Sequence, residues 1–327
     1  MDPGRCLTPS LTRKVAWLAA RTTFEAASAD LRELLDVQVS GSEFQRVALE
    51  VGERFEALSR QEDAQWNRPV SPERPGREPQ LSPKRLALMA DATSVLTVAG
   101  EEHKRVYCGR AFDVAARGRK DTNGRPFLSD SRFAASAVNF EDFTVRLLAL
   151  ARRCGLRRAR QVAFIADGAR CLWKWARETL GAQAILIQDF WHVCEHLSLL
   201  AQDLHGPAWP ETFERWKALL HDSHVDHVLD ELRQARSAGR GAKRKRLNEE
   251  IGYLEAGRER MDYARYRRQG WPIGSGAIEG TCKYLVKQRF GVTGARWRRC
   301  NIPSVLALRV AQANGDWDEY YRRLDAA

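Results

Sequence analysis

Apolar residues recur at helical spacing from residue 8 to about residue 60, with a short break near "DVQVSGSEF". "TFEAASADLRELL" carries one such stripe, and "SGSEFQRVALEVGERF" restarts behind a serine cap as a second amphipathic run. Two short helices joined by a tight turn are compatible with a helix-turn-helix, which would set Ser42, Gln45 and Arg46 near the start of a recognition helix. A plain helical bundle or a dimerisation arm fits the same pattern. The N-terminal region, 1–66, is therefore expected to be helical.

Residues 67–84, "NRPVSPERPGREPQLSPK", hold five of the twelve prolines and read as a linker, because proline lacks the amide donor and restricts its neighbours. The pattern then changes to buried runs alternating with helical ones. "RLALMADATSVLTV" is an apolar strand ending in Asp91, and "RVYCGRAFDV" is a further strand. "VNFEDFTVRLLALARRCG" is helical, and "QVAFIADGA" is a strand ending in Asp167. "RCLWKWARETLG", "AQAILIQDF" and "HVCEHLSLLAQDLHG" continue as helix, strand and helix. This alternation over 85–204 predicts an α/β layer with a parallel or mixed sheet. Residues 205–268 are charged and helical, an all-helical insertion, and 269–327 return with further helices.

At 327 residues, 44% hydrophobic and 29% charged, the chain has the composition of a globular protein with a substantial core. Its net charge of +11 favours a polyanionic partner, most simply nucleic acid. No apolar run approaches the ~20 residues that span a bilayer, and "MDPGRCLTPSLTRK" lacks a signal-peptide core, so no membrane role and a cytoplasmic location are expected. Seven scattered cysteines, the first at Cys6, without a C-x-x-C pair read as reduced thiols.

In open α/β sheets chemistry gathers beyond the carboxyl ends of strands. Asp91 and Asp167 each follow an apolar strand and precede small residues, and Asp189 closes a third strand. Acids at adjacent strand ends are one way to hold Mg²⁺, and two such ions can serve phosphoryl transfer. A single strand-end aspartate is also a common turn former or helix cap. "GSGAIEG" adds Glu279 among glycines that helix interiors disfavour. Those glycines imply a close approach of the backbone to DNA or to the strand carrying Asp91.

"IADGARCLWKWARETL", "LIQDFWHVCEHL" and "PIGSGAIEGTCKYLVKQRFGVTGARW" strongly resemble insertion-sequence transposases of the ISKra group, over residues 8 to about 320. The resemblance implies a ribonuclease H-like mixed sheet flanked by helices, with an all-helical insertion as in Mutator and hAT relatives. It implies a DDE transposase with Asp91, Asp167 and Glu279 as its catalytic, metal-binding triad, spaced by 76 and 112 residues. Asp189 and His192 match the supporting D-x-x-H element. Two Mg²⁺ or Mn²⁺ ions, DNA at element ends and target, and a homo-oligomer on DNA at the nucleoid follow as expectations. Ala92 stands where glycine commonly follows the first aspartate, and family members often have a longer, cysteine-bearing N-terminus. A truncated copy, or a catalytically decayed DNA-binding derivative, is the alternative.

For DNA contact the candidates are Lys283, Lys287, Arg289, Arg296 and Arg298, interleaved with Trp297 for stacking, and the run Lys243, Arg244, Lys245, Arg246. The bland counterpart packs the aromatics in the core and leaves the bases solvated. "HVCEH" also matches the H-x-x-E-H pattern of zinc metallopeptidases, with His192 and His196 as ligands and Glu195 as base. His221, His224 and His227 at three-residue steps drift around a helix and read as a solvated face.

Overall fold

The computed structural model describes residues 7–70, 76–116, 119–120, 126–128 and 130–326; Cys6 and 71–75 of the proline-rich segment lie outside the described residues. The elements begin with α1 (Pro9–Ala19), α2 (Phe24–Leu35), α3 (Gly41–Trp66), β1 (Arg85–Val95), β2 (Lys104–Asp113), β3 (Arg119–Lys120), β4 (Pro126–Phe127) and β5 (Ser131–Ser136). They continue with α4 (Phe140–Arg153), β6 (Gln161–Ala166), α5 (Arg170–Leu180), β7 (Ile185–Gln188), α6 (Phe190–His205), α7 (Trp209–His221), α8 (Val225–Ala238), α9 (Gly241–Gly257) and α10 (Tyr263–Arg268). Then follow α11 (Gly276–Thr281), a π-helical segment (Cys282–Lys287), α12 (Gln288–Phe290), α13 (Ile302–Asn314) and α14 (Trp317–Asp325).

The fold is α/β: a five-stranded mixed sheet in the order β5-β2-β1-β6-β7, with flanking helices, the mixed α/β layer expected from the sequence. β2 and β5 are antiparallel, whereas β1, β6 and β7 run parallel. The chain divides into two compact units. The first comprises Met1–Pro83, Ala90–Arg158 and Ile278–Ala327; the second comprises Lys84–Met89 and Ala159–Ala277.

In the first unit, local signals start each helix. Ser40 Oγ accepts from the Glu43 amide at 3.2 Å to open α3, an S-x-x-E capping pattern, and Asn139 Oδ1 accepts from Asp142 N at 2.8 Å to open α4. Apolar faces of α1, α2, α3, α13 and α14 close over Phe44, Phe55, Leu308 and Trp317, all buried. Gly52 lets α3 meet α13, since a Cβ there would lie 2.3 Å from Ser304 O. Asn314 brackets Phe133 on β5, donating to its carbonyl at 2.9 Å and accepting from its amide at 2.8 Å, which occupies ladder groups on that strand.

In the second unit the buried Ala163–Ala166 run of β6 sits between β1 and β7. On α5, Leu172, Trp173, Trp175 and Ala176 are buried, while Arg170, Lys174 and Arg177 are exposed. Residues 205–268 are helical, as their pattern predicts.

Two expectations change. β1 does not end at Asp91 but runs through it to Val95, because Thr93 and Val95 keep the strand extended beyond the apolar run. The hairpin partner β5 was not anticipated; "SRFAAS" has too few large apolar residues to announce a strand.

Candidate functional site

Within the first unit, Asp91 is half-buried on β1, and its Oδ1 accepts from the Ala92 amide at 2.6 Å. The buried Cys282 thiol lies 3.7 Å from the other oxygen, Asp91 Oδ2, and donates to it. Glu279 stands three residues before Cys282, one turn earlier and solvent-facing. Two of the three acids singled out by sequence are thus carried on contacting elements, although 188 positions separate them. The Cys282 thiol is held well above its ordinary pKa, chiefly by its hydrogen bond with Cys108, then by burial and the Asp91 carboxylate, so it stays a neutral donor.

The second unit holds Asp167, Asp189 and His192. Asp167 follows β6 directly, and its Oδ1 accepts from Ala169 N at 3.3 Å. Gly168 has φ +122°, and a Cβ there would lie 3.2 Å from Tyr253 Cε2, so only glycine suits this turn. Tyr253 Oη donates to the Asp167 carbonyl at 3.3 Å. The Tyr253 ring in turn stacks on His196 at 4.2 Å and 10°, while His196 Nδ1 meets the buried Glu250 Oε2 at 2.9 Å. The backbone of Asp167 is therefore tied through Tyr253 to both α6 and α9. No local sequence signal marks Tyr253 or Glu250 for this role.

Asp189 has a structural task. Only 1% exposed, it caps α6 by accepting from Trp191 N at 2.7 Å and His192 N at 3.3 Å. Its Oδ2 accepts from Ser275 N at 3.0 Å and from the Ser275 hydroxyl. Phe190 N donates to Ile273 O at 2.8 Å. The segments "IQDFWH" and "PIGSG" are thus one clamped assembly. Gly274 belongs to it, because a Cβ there would lie 2.7 Å from Trp191 Cδ1. The close approach at this glycine is to an indole of its own unit. A Cβ at Gly276 or Gly280 would meet nothing within 4 Å.

Of the basic candidates, Lys283, Lys287, Arg296 and Arg298 are exposed, as is Tyr284 at 44%. Lys287 Nζ also donates to Ser94 O at 2.7 Å, which ties the π-helical segment to β1. Arg289 and Trp297 are corrected: both are buried, with the guanidinium 4.8 Å from the indole and 4.6 Å from the Phe24 ring. Arg289 Nε donates to Ala19 O at 2.8 Å. Their apolar surroundings make them a core cluster, and neither presents itself to a strand of DNA. In the second unit, Lys243, Arg244 and Lys245 are exposed on the first turns of α9, and Arg246 reaches Glu250 Oε1 at 3.3 Å. Cations there oppose the helix dipole, and no acid occupies that first turn to compensate.

At the start of α3, Ser42, Gln45 and Arg46 are exposed, but Arg46 is paired with Glu43 at 2.8 Å and Glu50 at 2.9 Å, which offsets its charge. The H-x-x-E-H reading loses support, since His196 is engaged by Glu250 and, among the described residues, no group of three or more His, Cys, Asp or Glu side chains is gathered as a metal-ligand set. His224 and His227 are exposed, as a solvated face requires.

No family model matches the chain, and no curated protein matches it. Among solved structures it is similar to the Drosophila P element transposase strand transfer complex, at 10% identity and a TM-score of 0.29, over 99% of this chain and 82% of that chain. That similarity lies below the level at which a shared fold follows. Among the described residues no helix is long and apolar enough to cross a membrane.

Proposed function

We propose that the chain is a DNA transposase of the ISKra kind, which cuts strands at the ends of a mobile element and joins the freed 3′-OH to target DNA. The observation that carries the reading is the Cys282–Asp91 contact, which sets the helix of Glu279 against the strand of Asp91. The net charge of +11 and the cations on α9 support a polyanionic substrate.

In this reading Asp91, Asp167 and Glu279 are the acids of the reaction. The Cys282 thiol holds one oxygen of Asp91, and Tyr253 fixes the backbone at Asp167. Half-exposed His192, beside His196 on α6, orients a phosphate or a water. Lys283, Lys287, Arg296 and Arg298 hold the DNA backbone. Two Mg²⁺ or Mn²⁺ ions would neutralise charge on the transferring phosphoryl group. Their donor set is not gathered among the described residues, so the metal rests on the sequence resemblance alone. Action on DNA as a homo-oligomer at the nucleoid belongs to the same proposal.

The test is a strand-transfer assay on labelled element-end DNA with Mg²⁺ or Mn²⁺. Activity in the wild type and its loss in each of Asp91→Ala, Asp167→Ala and Glu279→Ala is expected. Full activity in one variant removes that residue from the site. DNA binding without strand transfer by the wild type replaces the reading with a DNA-binding derivative of a transposase.

A further inference from the structure

We propose that the cleft between α5 and α9, inside the second unit, binds the phosphodiester backbone of a single DNA strand through Arg170, Lys174 and Arg177. The inference rests on the DNA-acting reading above and adds a site to it. The cleft has a volume of about 830 Å³, and its lining includes Gly168 and Arg170, one and three residues after Asp167. Arg170, Lys174 and Arg177 fall at i, i+4 and i+7, so they share one face of α5, and all three are exposed. Four residues of helix advance ~6 Å, so the three cations form a ladder along the cleft wall.

Among the residues that line the cleft, four cations face two carboxylates. Glu178 and Glu249 line the cleft, but Lys174 reaches Glu178 only at 4.0 Å, between two well-exposed side chains. At the floor lies a fourth cation, Arg260, whose guanidinium sits 4.6 Å from the Trp173 ring and donates to Gln188 Oε1 at 3.3 Å and Ala256 O at 2.5 Å. Neither of those partners is a carboxylate. Burial first, then the repulsion of Arg177, hold its pKa below the ordinary value, with the Glu259 carboxylate opposing them.

Two further features favour a polyanionic strand. The N-terminus of α5 carries no side-chain cap, and Arg170 in its first turn lines the cleft. The opposite wall is small at Gly252, where a Cβ would meet nothing within 4 Å, and at Ala256. Exposed Lys245, one turn before Asn248 and Glu249 on α9, extends the positive track past the end of the cleft. Trp173 is buried beneath Arg260, and the half-buried Tyr253 ring that also lines the cleft is stacked on His196, so the cleft offers mainly guanidinium and ammonium groups to phosphates.

The experiment is fluorescence anisotropy with fluorescein-labelled oligo-dT longer than about 16 nucleotides, over a salt series. Each phosphate contact on a single strand contributes about 0.7 to the salt slope. The triple variant Arg170→Gln, Lys174→Gln, Arg177→Gln is expected to bind at least about tenfold more weakly, with the slope reduced by about 2. Glu249→Gln, which tests the same cleft without depending on the triple variant's folding, is expected to tighten binding. Unchanged affinity and slope in both variants overturn the cleft while the wild type still binds DNA. A wild type that binds no DNA, in this assay or on element ends, overturns the functional reading and the cleft with it. Binding of poly-glutamate in equal measure, with oligo-dT failing to compete, reassigns the cleft to an acidic peptide and also overturns the proposal.

Discussion

Asp189→Ala should destabilise the second unit, because the carboxylate is spent on structure. It is 1% exposed and accepts from Trp191 N, His192 N, Ser275 N and Ser275 Oγ. Removing it leaves buried donors unsatisfied at ~1–3 kcal/mol each and deletes a helix cap worth ~1 kcal/mol. The expected cost is about 3–5 kcal/mol, at the upper end for one substitution. Asp189→Asn keeps a capping oxygen but turns an amide NH₂ toward the Ser275 donors, at about 2–3 kcal/mol. Ser275→Ala removes a single donor and should cost about 1 kcal/mol. The double-mutant cycle should then show coupling of ~1 kcal/mol or more, because both changes break the same contact. Urea denaturation followed by far-UV circular dichroism gives the midpoints. Amide hydrogen exchange at Trp191, His192 and Ser275 reads the clamp locally. If Asp189→Asn leaves the midpoint and the protection of those amides unchanged, the clamp is wrong and the carboxylate is available for chemistry.

Trp297→Ala should cost ~3–5 kcal/mol and leave the salt slope of DNA binding unaltered, since the ring is buried against Arg289 and Phe290; a reduced slope at normal stability would return it to the DNA surface. Asp63 is pushed up to about 7, mainly by burial, with Arg146 opposing and Glu56 and Glu62 adding. Its folded pKa exceeds the unfolded value of 3.8, so the fold favours the protonated form and stability drops as pH rises from about 4 to about 7. Asp63→Asn should therefore melt above the wild type, by a gap that widens across that window to a few kcal/mol at most and is constant above it; a gap independent of pH refutes the assignment. His196→Ala should release Glu250 and loosen Tyr253, lowering stability by about 1–3 kcal/mol, measured by thermal melting against a Glu250→Gln control.

The elements legible in sequence were those with strong periodicity or caps. The parallel strands at 85–95, 161–166 and 185–188, and the helices between and after them, follow apolar runs and helical spacing. β5 escaped because its few small apolar residues carry no pattern of their own and it pairs only in the context of β2. At the candidate site, sequence singled out the acids but not their neighbours. Nothing near Tyr253 announces a bond to residue 167, since that contact exists only after α9 packs. It also misread Arg289 and Trp297, because a cation beside an aromatic has the same spelling on a DNA surface and in a core. The cations of α5 stand at i, i+4 and i+7 in "RCLWKWARETL", a spacing that sequence alone cannot tell from an ordinary solvated helix face.

The π-helical segment at Cys282–Lys287 carries a consequence for register. In an ordinary α-helix each step of four residues drifts about 40° around the axis, so Glu279, Lys283 and Lys287 would fan apart by about 80°. Winding with i→i+5 closure slows that rotation, keeping the acid and the two lysines nearer to one meridian. One residue too many for the α pattern thus acts as a gear tooth: deleting a single position between Cys282 and Lys287 should turn everything downstream, and Lys287 would lose its hold on Ser94.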